Sequence, residues 1–234
     1  MALNSRSGAA AEESPQRSLL AAHAVKEIFF DYDSTITRPV FVEALGKWAI
    51  SDKPEVCLSL SPEQLVQQFG GEARIKILHS FFKRLQHLGV VCHIVSHGRE
   101  GVITHQLEKV RLHKYFETVV ASDSEPLRAV GNDKGAYILR CLQRKGARQC
   151  FGFWPRCCGG QHQCWHLDPV PPLIRAITLC ILAAVGLHKI DGLFVDDSER
   201  NIITALKVCR VYVVPKPCLG TLDMQAIATM CVRG

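Results

Sequence analysis

The sequence predicts an α/β protein whose core is a three-layer, Rossmann-like parallel sheet. Short apolar runs typical of buried strands alternate with segments of helical spacing, an order that produces a parallel sheet covered by helices on both faces. Three of these runs end directly on a polar residue, at Asp31, Ser96 and Asp196. Ligands bind at the carboxyl ends of strands in such sheets. The 234 residues are 47% hydrophobic, which is sufficient for one well-packed core.

Five short runs predict the strands. They are rich in β-branched and aromatic residues and are bounded by glycine, proline or polar residues. Their sequences are VKEIFF, VVCHIV, ETVVA, IDGLFV and RVYVV, at 25–30, 90–95, 117–121, 190–195 and 210–214.

The long interval between the first two strands is predicted to be helical. Pro39 opens a pattern in which every third residue is apolar, namely Val42, Leu45 and Trp48. Ser61 and Pro62 are a typical helix start, as N-cap and first-turn residue. That second helical stretch continues to residue 88 and is interrupted at two glycines. Three later helices are predicted: one through Leu107 and Val110, one over 133–145, and one capped by Ser198 that reaches Lys207.

Two aspartates one residue apart follow the first strand. Asp31 and Asp33 can both face one pocket, where one carboxylate can attack phosphorus and the other can act as general acid and then base. A carboxylate that approaches a phosphate dianion is repelled, so a cation is needed. Mg²⁺ prefers a few carboxylates together with phosphate oxygens and water. Asp196 and Asp197, after another strand, supply the remaining ligands.

Groups that can hold a phosphate follow at the same predicted edge. The Ser96 hydroxyl and the backbone amides of His97 and Gly98 lie near a helix N-terminus, which favours anions. Lys134, at the start of a later helix, offers a compact positive charge for the same purpose. His97 is also open to the simpler interpretation of a surface histidine.

In order, spacing and strand context, four motifs resemble those of the haloacid dehalogenase-like hydrolases. They are FFDYDSTIT, IVSHG, the lysine in NDKGAYI, and LFVDDSERNI. The resemblance spans roughly 25–146 and 190–215. It implies that Asp31 is nucleophile and metal ligand. It implies that Asp33 is the acid/base residue, with its backbone carbonyl on Mg²⁺.

The same resemblance assigns the other site residues. Ser96 and Lys134 would bind the phosphoryl group, and Asp196, with or through Asp197, would complete the metal site. A second aspartate two positions after the nucleophile is similar to phosphatases and phosphomutases of the family, and unlike its dehalogenases. The family also inserts accessory elements after the first strand, so the resemblance implies a small helical cap over 36–88.

The predicted organisation is a core domain over 25–215 that includes this cap, a disordered arm over 1–24 and a tail over 216–234. Residues 147–189 do not fit the α/β pattern, because they hold five cysteines, two tryptophans and a single acidic residue, Asp168. Removing them would leave an ordinary helix–loop–strand connection. An extra loop with a buried helix, a metal site and translated noncoding sequence are the alternatives, and we favour the last.

The function expected is that of a cytoplasmic, Mg²⁺-dependent phosphatase acting on a small phosphorylated metabolite. A phosphomutase, a non-catalytic interaction protein of the same fold and a redox or metal module on the cysteine-rich segment are the alternatives. The net charge of +6 is dispersed, which argues against nucleic acid as a partner. We expect no membrane partner, and the sequence indicates no oligomeric state. Eleven cysteines, an odd number without a secretory signal, predict free thiols.

Overall fold

The computed structural model describes residues 25–151, 192–215 and 218–232, with side chains of the first range described to Arg144. Its centre is a five-stranded parallel sheet, so the predicted α/β class is confirmed. The strands are β1 (Glu27–Phe30), β4 (Val91–Val95), β5 (Phe116–Val120), β6 (Gly192–Asp196) and β7 (Arg210–Val213). A separate antiparallel pair contains β2 (Val40–Val42) and β3 (Lys47–Ala49).

The order of the strands brings the predicted site together. The sheet runs β5-β4-β1-β6-β7, so β1 lies between β4 and β6. Phe30 at the end of β1 is in register with Ile94 of β4 and Val195 of β6. Because all three strands are parallel, the residues that follow them lie at one edge of the sheet.

Helices cover both faces of the large sheet. Their bounds are α1 (Pro54–Cys57), α2 (Pro62–Gln68), α3 (Glu72–His87), α4 (Glu100–Lys109), α5 (Glu125–Arg128), α6 (Lys134–Phe151), α7 (Glu199–Ala205) and α8 (Thr221–Val232), with 3₁₀ turns at Glu43–Leu45 and His113–Tyr115. Ile28 and Phe30 of β1 face the core beneath α3, α4 and α8. Phe29 points the opposite way, toward α6 and α7. This alternation of buried residues is what a strand covered on both faces requires.

The interval between β1 and β4 contains a hairpin in addition to the helices that the sequence predicts. The helix predicted from Pro39 is wrong, because residues 40–49 form β2, a 3₁₀ turn and β3. Gly46, with φ of 59°, makes the turn in a left-handed conformation that glycine adopts without strain. Phe41 and Trp48 pair across the two strands, with ring centroids 5.2 Å apart.

We use the name cap segment for residues 40–68, which contain β2, β3, α1 and α2. Helix α2 begins as predicted, with a reciprocal capping box between Ser61 and Gln64. Residues Val42, Ala49, Val56 and Cys57 form a small apolar cluster that packs on Val102 of α4. Helix α3, which falls inside the expected 36–88 cap, instead buries Leu78, Phe81, Phe82 and Leu85 in the core of the large sheet.

The C-terminal region, expected to be only a tail, contains helix α8. Met224, Ile227, Ala228 and Cys231 of this helix are buried in the same core cluster as α3.

The expected arm over 1–24 lies outside the described residues, and so does the cysteine-rich segment beyond residue 151, together with the alternatives proposed for it. Within the described residues, no helix is long and apolar enough to cross a bilayer. The six cysteines whose side chains are described form no disulfide.

Candidate active site

The residues that follow β1, β4 and β6 meet at one edge of the sheet. The Asp31 amide donates to the carbonyl of Val195 at 2.8 Å, so β1 and β6 stay paired up to the aspartate. The Ser96 amide donates to Val120 at 3.0 Å in the same way, on the β5 side. Backbone pairing that continues to the last residue fixes where these side chains emerge, and the site is therefore held by the rigid sheet.

Lys134 links two of the carboxylates. Its ammonium lies 2.6 Å from Asp31 Oδ1 and 2.9 Å from Asp196 Oδ2. All three residues are buried, with exposed fractions of 3% for Lys134, 6% for Asp31 and none for Asp196. Buried charges are costly unless they are paired and hydrogen-bonded, and here each charge has such a partner.

Burial and pairing shift the pKa values of these groups. Burial raises the pKa of Asp31 to about 7, and the Lys134 ammonium opposes that rise while the Asp196 carboxylate adds to it. For Lys134, burial acts to lower the pKa, but the adjacent carboxylates Asp31 and Asp196 outweigh it and raise the pKa. The lysine is therefore a fixed positive charge beside the proposed nucleophile.

The carboxylate of Asp196 is oriented by the start of α7. Its Oδ1 accepts from the Ser198 amide at 2.7 Å, and its Oδ2 accepts from the Asn201 side-chain amide at 3.0 Å. Asp31, Asp196 and Asp197 each place an oxygen within 4.8 Å of the others. This donor set fits Mg²⁺, because three carboxylates outnumber the one ammonium and hard oxygen ligands suit that ion.

The side chain of Asp33 is turned away from that group, toward the cap segment. Its Oδ1 and Oδ2 accept from the backbone amide of Ser51 at 3.1 and 3.2 Å, and Oδ2 also accepts from the Ser51 hydroxyl. Burial raises the pKa of Asp33, and the two Ser51 donors oppose that rise. Of the predicted metal residues, Asp33 is the one whose carboxylate lies outside the three-carboxylate group, and the resemblance assigns only its backbone carbonyl to the ion.

The loop after β4 orders the predicted phosphate-binding groups. Ser96 is buried, and its hydroxyl oxygen accepts from the Gly98 amide at 3.1 Å. Gly98 is also buried, while the side chain of His97 is exposed at the surface. The Gly98 amide, predicted to hold a phosphate oxygen, is thus already bonded within the loop. The roles predicted for Ser96, His97 and Gly98 remain predictions.

Two residues at the site were missed from the sequence. Asn201 lies in the first turn of α7, and its spacing from Asp196 could have indicated that it faces that residue. Ser51 gave no such signal, because the preceding residues were predicted as a helix and the hairpin determines where Ser51 points.

Comparisons with known proteins give similarity at the level of the fold. One similar structure is the N-terminal part of a Bacteroides fragilis protein, which contains a phosphatase domain and is complexed with Mg. It is 13% identical to this chain, with a TM-score of 0.45, and the match covers 92% of this chain and 42% of that one. A haloacid dehalogenase superfamily hydrolase from Ehrlichia chaffeensis is 12% identical, with a TM-score of 0.42 over 90% and 98%. A haloacid dehalogenase-like family hydrolase from Streptococcus pneumoniae is 10% identical, with a TM-score of 0.35 over 87% and 90%.

The chain spans less than half of the first of these solved structures. No known family profile and no curated protein sequence matches the chain. Identities and TM-scores this low have no bearing on substrate or mechanism, and both must therefore be inferred from the residues of the chain's own site.

Proposed function

We propose that the chain is a cytoplasmic, Mg²⁺-dependent phosphatase of the haloacid dehalogenase-like type, acting on a small phosphorylated metabolite. One observation carries the proposal: Asp31 is buried at the convergent strand ends, 2.6 Å from the Lys134 ammonium that also binds Asp196. A carboxylate with a fixed cation and two further acidic residues nearby is suited to attack an anionic phosphorus centre.

In the first step, a carboxylate oxygen of Asp31 forms a bond to phosphorus while the ester P–O bond breaks. The leaving oxygen takes the proton of the Asp33 carboxyl group, so Asp33 becomes a carboxylate and the alcohol departs neutral. The product is a phosphoryl group held on Asp31. The raised pKa of Asp33 supports this role, because the acid must carry its proton when the ester binds.

In the second step, water attacks phosphorus and the bond to Asp31 breaks. The Asp33 carboxylate accepts a proton from that water, which regenerates the acid, and inorganic phosphate leaves with the Asp31 carboxylate restored. If a sugar hydroxyl took the place of water, the same residues would carry out a phosphomutase reaction. Product analysis separates the two, since only the phosphatase releases inorganic phosphate.

Lys134 and Ser96 are the proposed partners of the phosphoryl oxygens. The ammonium lies beside the nucleophilic oxygen and can donate to a phosphoryl oxygen as a third partner, since it has three N–H donors. Ser96 is buried at the neighbouring strand end, and its hydroxyl proton remains available as a donor while its oxygen accepts from Gly98.

Asp31, Asp196, Asp197 and the carbonyl of Asp33 are the proposed ligands of Mg²⁺. When bound, the ion supplies positive charge that reduces the repulsion between the Asp31 carboxylate and the phosphate. The residues around Asp196 prepare this site, because Ser198 and Asn201 fix the orientation of its carboxylate.

The proposal is tested by assaying the purified chain against phosphorylated metabolites, with p-nitrophenyl phosphate as a general probe. We expect release of inorganic phosphate that depends on Mg²⁺. The Asp33→Asn variant should lower turnover by about 10²- to 10⁴-fold, the range of general acid–base catalysis, because an amide neither donates an acidic proton nor accepts one from water. An unchanged rate in Asp33→Asn would show that Asp33 is not the general acid or base.

A further prediction concerns the metal alone. Mg²⁺ at about a hundred times its dissociation constant should raise the free energy of unfolding by about 2.7 kcal/mol, because the ion binds the folded chain. In Asp196→Asn this increase should largely disappear, since a buried ligand is lost, whereas Asp223→Asn, at an aspartate of the α8 turn, should retain it. Urea unfolding of each variant, once with EDTA and once with excess Mg²⁺, measures this increase in the free energy of unfolding. Equal stabilisation of parent and Asp196→Asn would contradict the assigned metal site.

A further inference from the structure

Ser51 is a fully buried residue of the cap segment that lies between two loops of the candidate site. Its amide and hydroxyl both donate to the Asp33 carboxylate, on the loop after β1. Its carbonyl accepts from the Arg99 amide at 2.9 Å, on the loop after β4. Ser51 therefore connects the cap segment to both loops, through its amide and hydroxyl as donors and its carbonyl as acceptor.

The glycine at position 98 makes this approach possible. A Cβ added to Gly98 would lie 1.7 Å from the Ser51 hydroxyl oxygen and 2.6 Å from the Ser51 Cβ. Contacts that short do not occur, so any side chain at position 98 would displace Ser51. Gly98, predicted from the sequence as a phosphate-binding residue, thus also provides the space that Ser51 occupies.

A buried chain of hydrogen bonds holds the part of the cap segment next to Ser51. The hydroxyl of Tyr32, between the two site aspartates, donates to Gln106 of α4 at 2.8 Å. Gln106 in turn donates to Gln68 of α2 at 2.9 Å, and Gln68 donates to the carbonyl of Ala49 at 3.5 Å. The side chains of Tyr32, Gln106 and Gln68 are buried, and hydrogen-bonded groups without water nearby have little freedom to move.

We propose that Ser51 is a positioning residue for general acid–base catalysis, which fixes the carboxyl group of Asp33 relative to the leaving oxygen. The inference rests on the proposed function, since it concerns the step in which Asp33 transfers a proton. Proton transfer requires the donor and acceptor atoms to be within hydrogen-bond distance, and a small misplacement costs much of the rate. Two donors from one residue, itself held from both sides, restrict the carboxyl group to one orientation.

The test compares leaving groups. The variant Ser51→Ala removes the hydroxyl donor and retains the backbone amide. Phenol has a pKa of about 10, as in tyrosine, and leaves with the help of a proton, whereas p-nitrophenolate is a far weaker base that departs without one. We therefore compare kcat/KM, which reports the steps through the first phosphoryl transfer, for phenyl phosphate and p-nitrophenyl phosphate with Mg²⁺.

We expect Ser51→Ala to lower kcat/KM for phenyl phosphate by about 10- to 100-fold, the value of one hydrogen bond to a charged group, because Asp33 becomes a carboxylate as it gives up its proton in this step. The value for p-nitrophenyl phosphate should fall much less, so the ratio of the phenyl phosphate value to the p-nitrophenyl phosphate value should drop severalfold or more. That ratio does not depend on how much of the variant is folded. Ser59→Ala is the matched control, because Ser59 is an exposed residue of the cap segment whose hydroxyl donates to the nearby carbonyl of Val56, and its ratio should equal that of the parent.

An unchanged ratio in Ser51→Ala overturns the positioning role and leaves the proposed function standing. A parent chain without Mg²⁺-dependent hydrolysis of either ester, or an Asp31→Asn variant as active as the parent, overturns the proposed function and this inference together. The two failures are thus distinguished by the parent and Asp31→Asn measurements.

Discussion

Asp31→Asn is expected to abolish phosphatase turnover, with a loss on the order of 10⁴-fold or more, as when a catalytic nucleophile is removed. The reason is chemical and does not involve packing. Asparagine has the same size, and its side-chain oxygen can still accept the 2.6 Å hydrogen bond from Lys134. An amide, however, is a poor nucleophile toward phosphorus. The measurement is the steady-state rate of phosphate release with Mg²⁺ and p-nitrophenyl phosphate.

Asp123→Asn provides the matched control for this substitution. Asp123 lies outside the carboxylate group, and its Oδ1 accepts from the amide of Glu100 at 2.9 Å, a hydrogen bond that asparagine can also accept. Its turnover should stay within a factor of about two of the parent, as for a site without a role in the chemistry. A rate in Asp31→Asn comparable with that of Asp123→Asn would contradict the assignment of the nucleophile.

Lys134→Met is expected to lower the free energy of unfolding by about 3–5 kcal/mol, the cost of leaving buried charges without their partner. Lys134 is the ammonium that binds both Asp31 and Asp196, and methionine fills a similar volume with no charge. Two buried carboxylates would then face each other uncompensated. Urea unfolding in EDTA, which removes any bound divalent ion, measures this loss.

Lys76→Met is the control for the lysine substitution, because Lys76 is an exposed residue of α3. A surface change of this kind usually stays within about 0.5 kcal/mol. If Lys134→Met is as stable as Lys76→Met, the ion pairs at the site contribute little, and the picture of a preorganised anion site is wrong.

The central sheet and most of the candidate site could be predicted from the sequence, because both depend on local patterns. A run such as VKEIFF is too apolar and too β-branched for a loop, and the polar residue after it marks the strand end. Once three strands are parallel neighbours, Asp31, Ser96 and Asp196 must lie at one edge. The pairing of β1 with β4 and β6 then follows the topology expected for an α/β sheet.

The cap segment and Ser51 could not be predicted, because they depend on contacts between distant residues. Apolar residues three apart, at Val42, Leu45 and Trp48, are compatible with either a helix or a short hairpin. The hairpin is favoured here by the left-handed turn at Gly46 and by packing of Val42 and Ala49 on α4.

Helix α8 was missed for a similar reason. Leu222 is 80% exposed while Met224 and Ile227 are buried, so its apolar residues do not follow one face in the sequence.

The most direct test of the central claim is to identify the phosphorylated residue during turnover. Parent chain is mixed with Mg²⁺ and p-nitrophenyl phosphate, quenched in acid within milliseconds, digested, and its peptides mapped by mass spectrometry. We predict a phosphoryl group on Asp31, formed in the parent and absent from Asp31→Asn. Mg²⁺-dependent turnover with no phosphoryl group on Asp31 at any quench time, or with the group on another residue, would contradict the account.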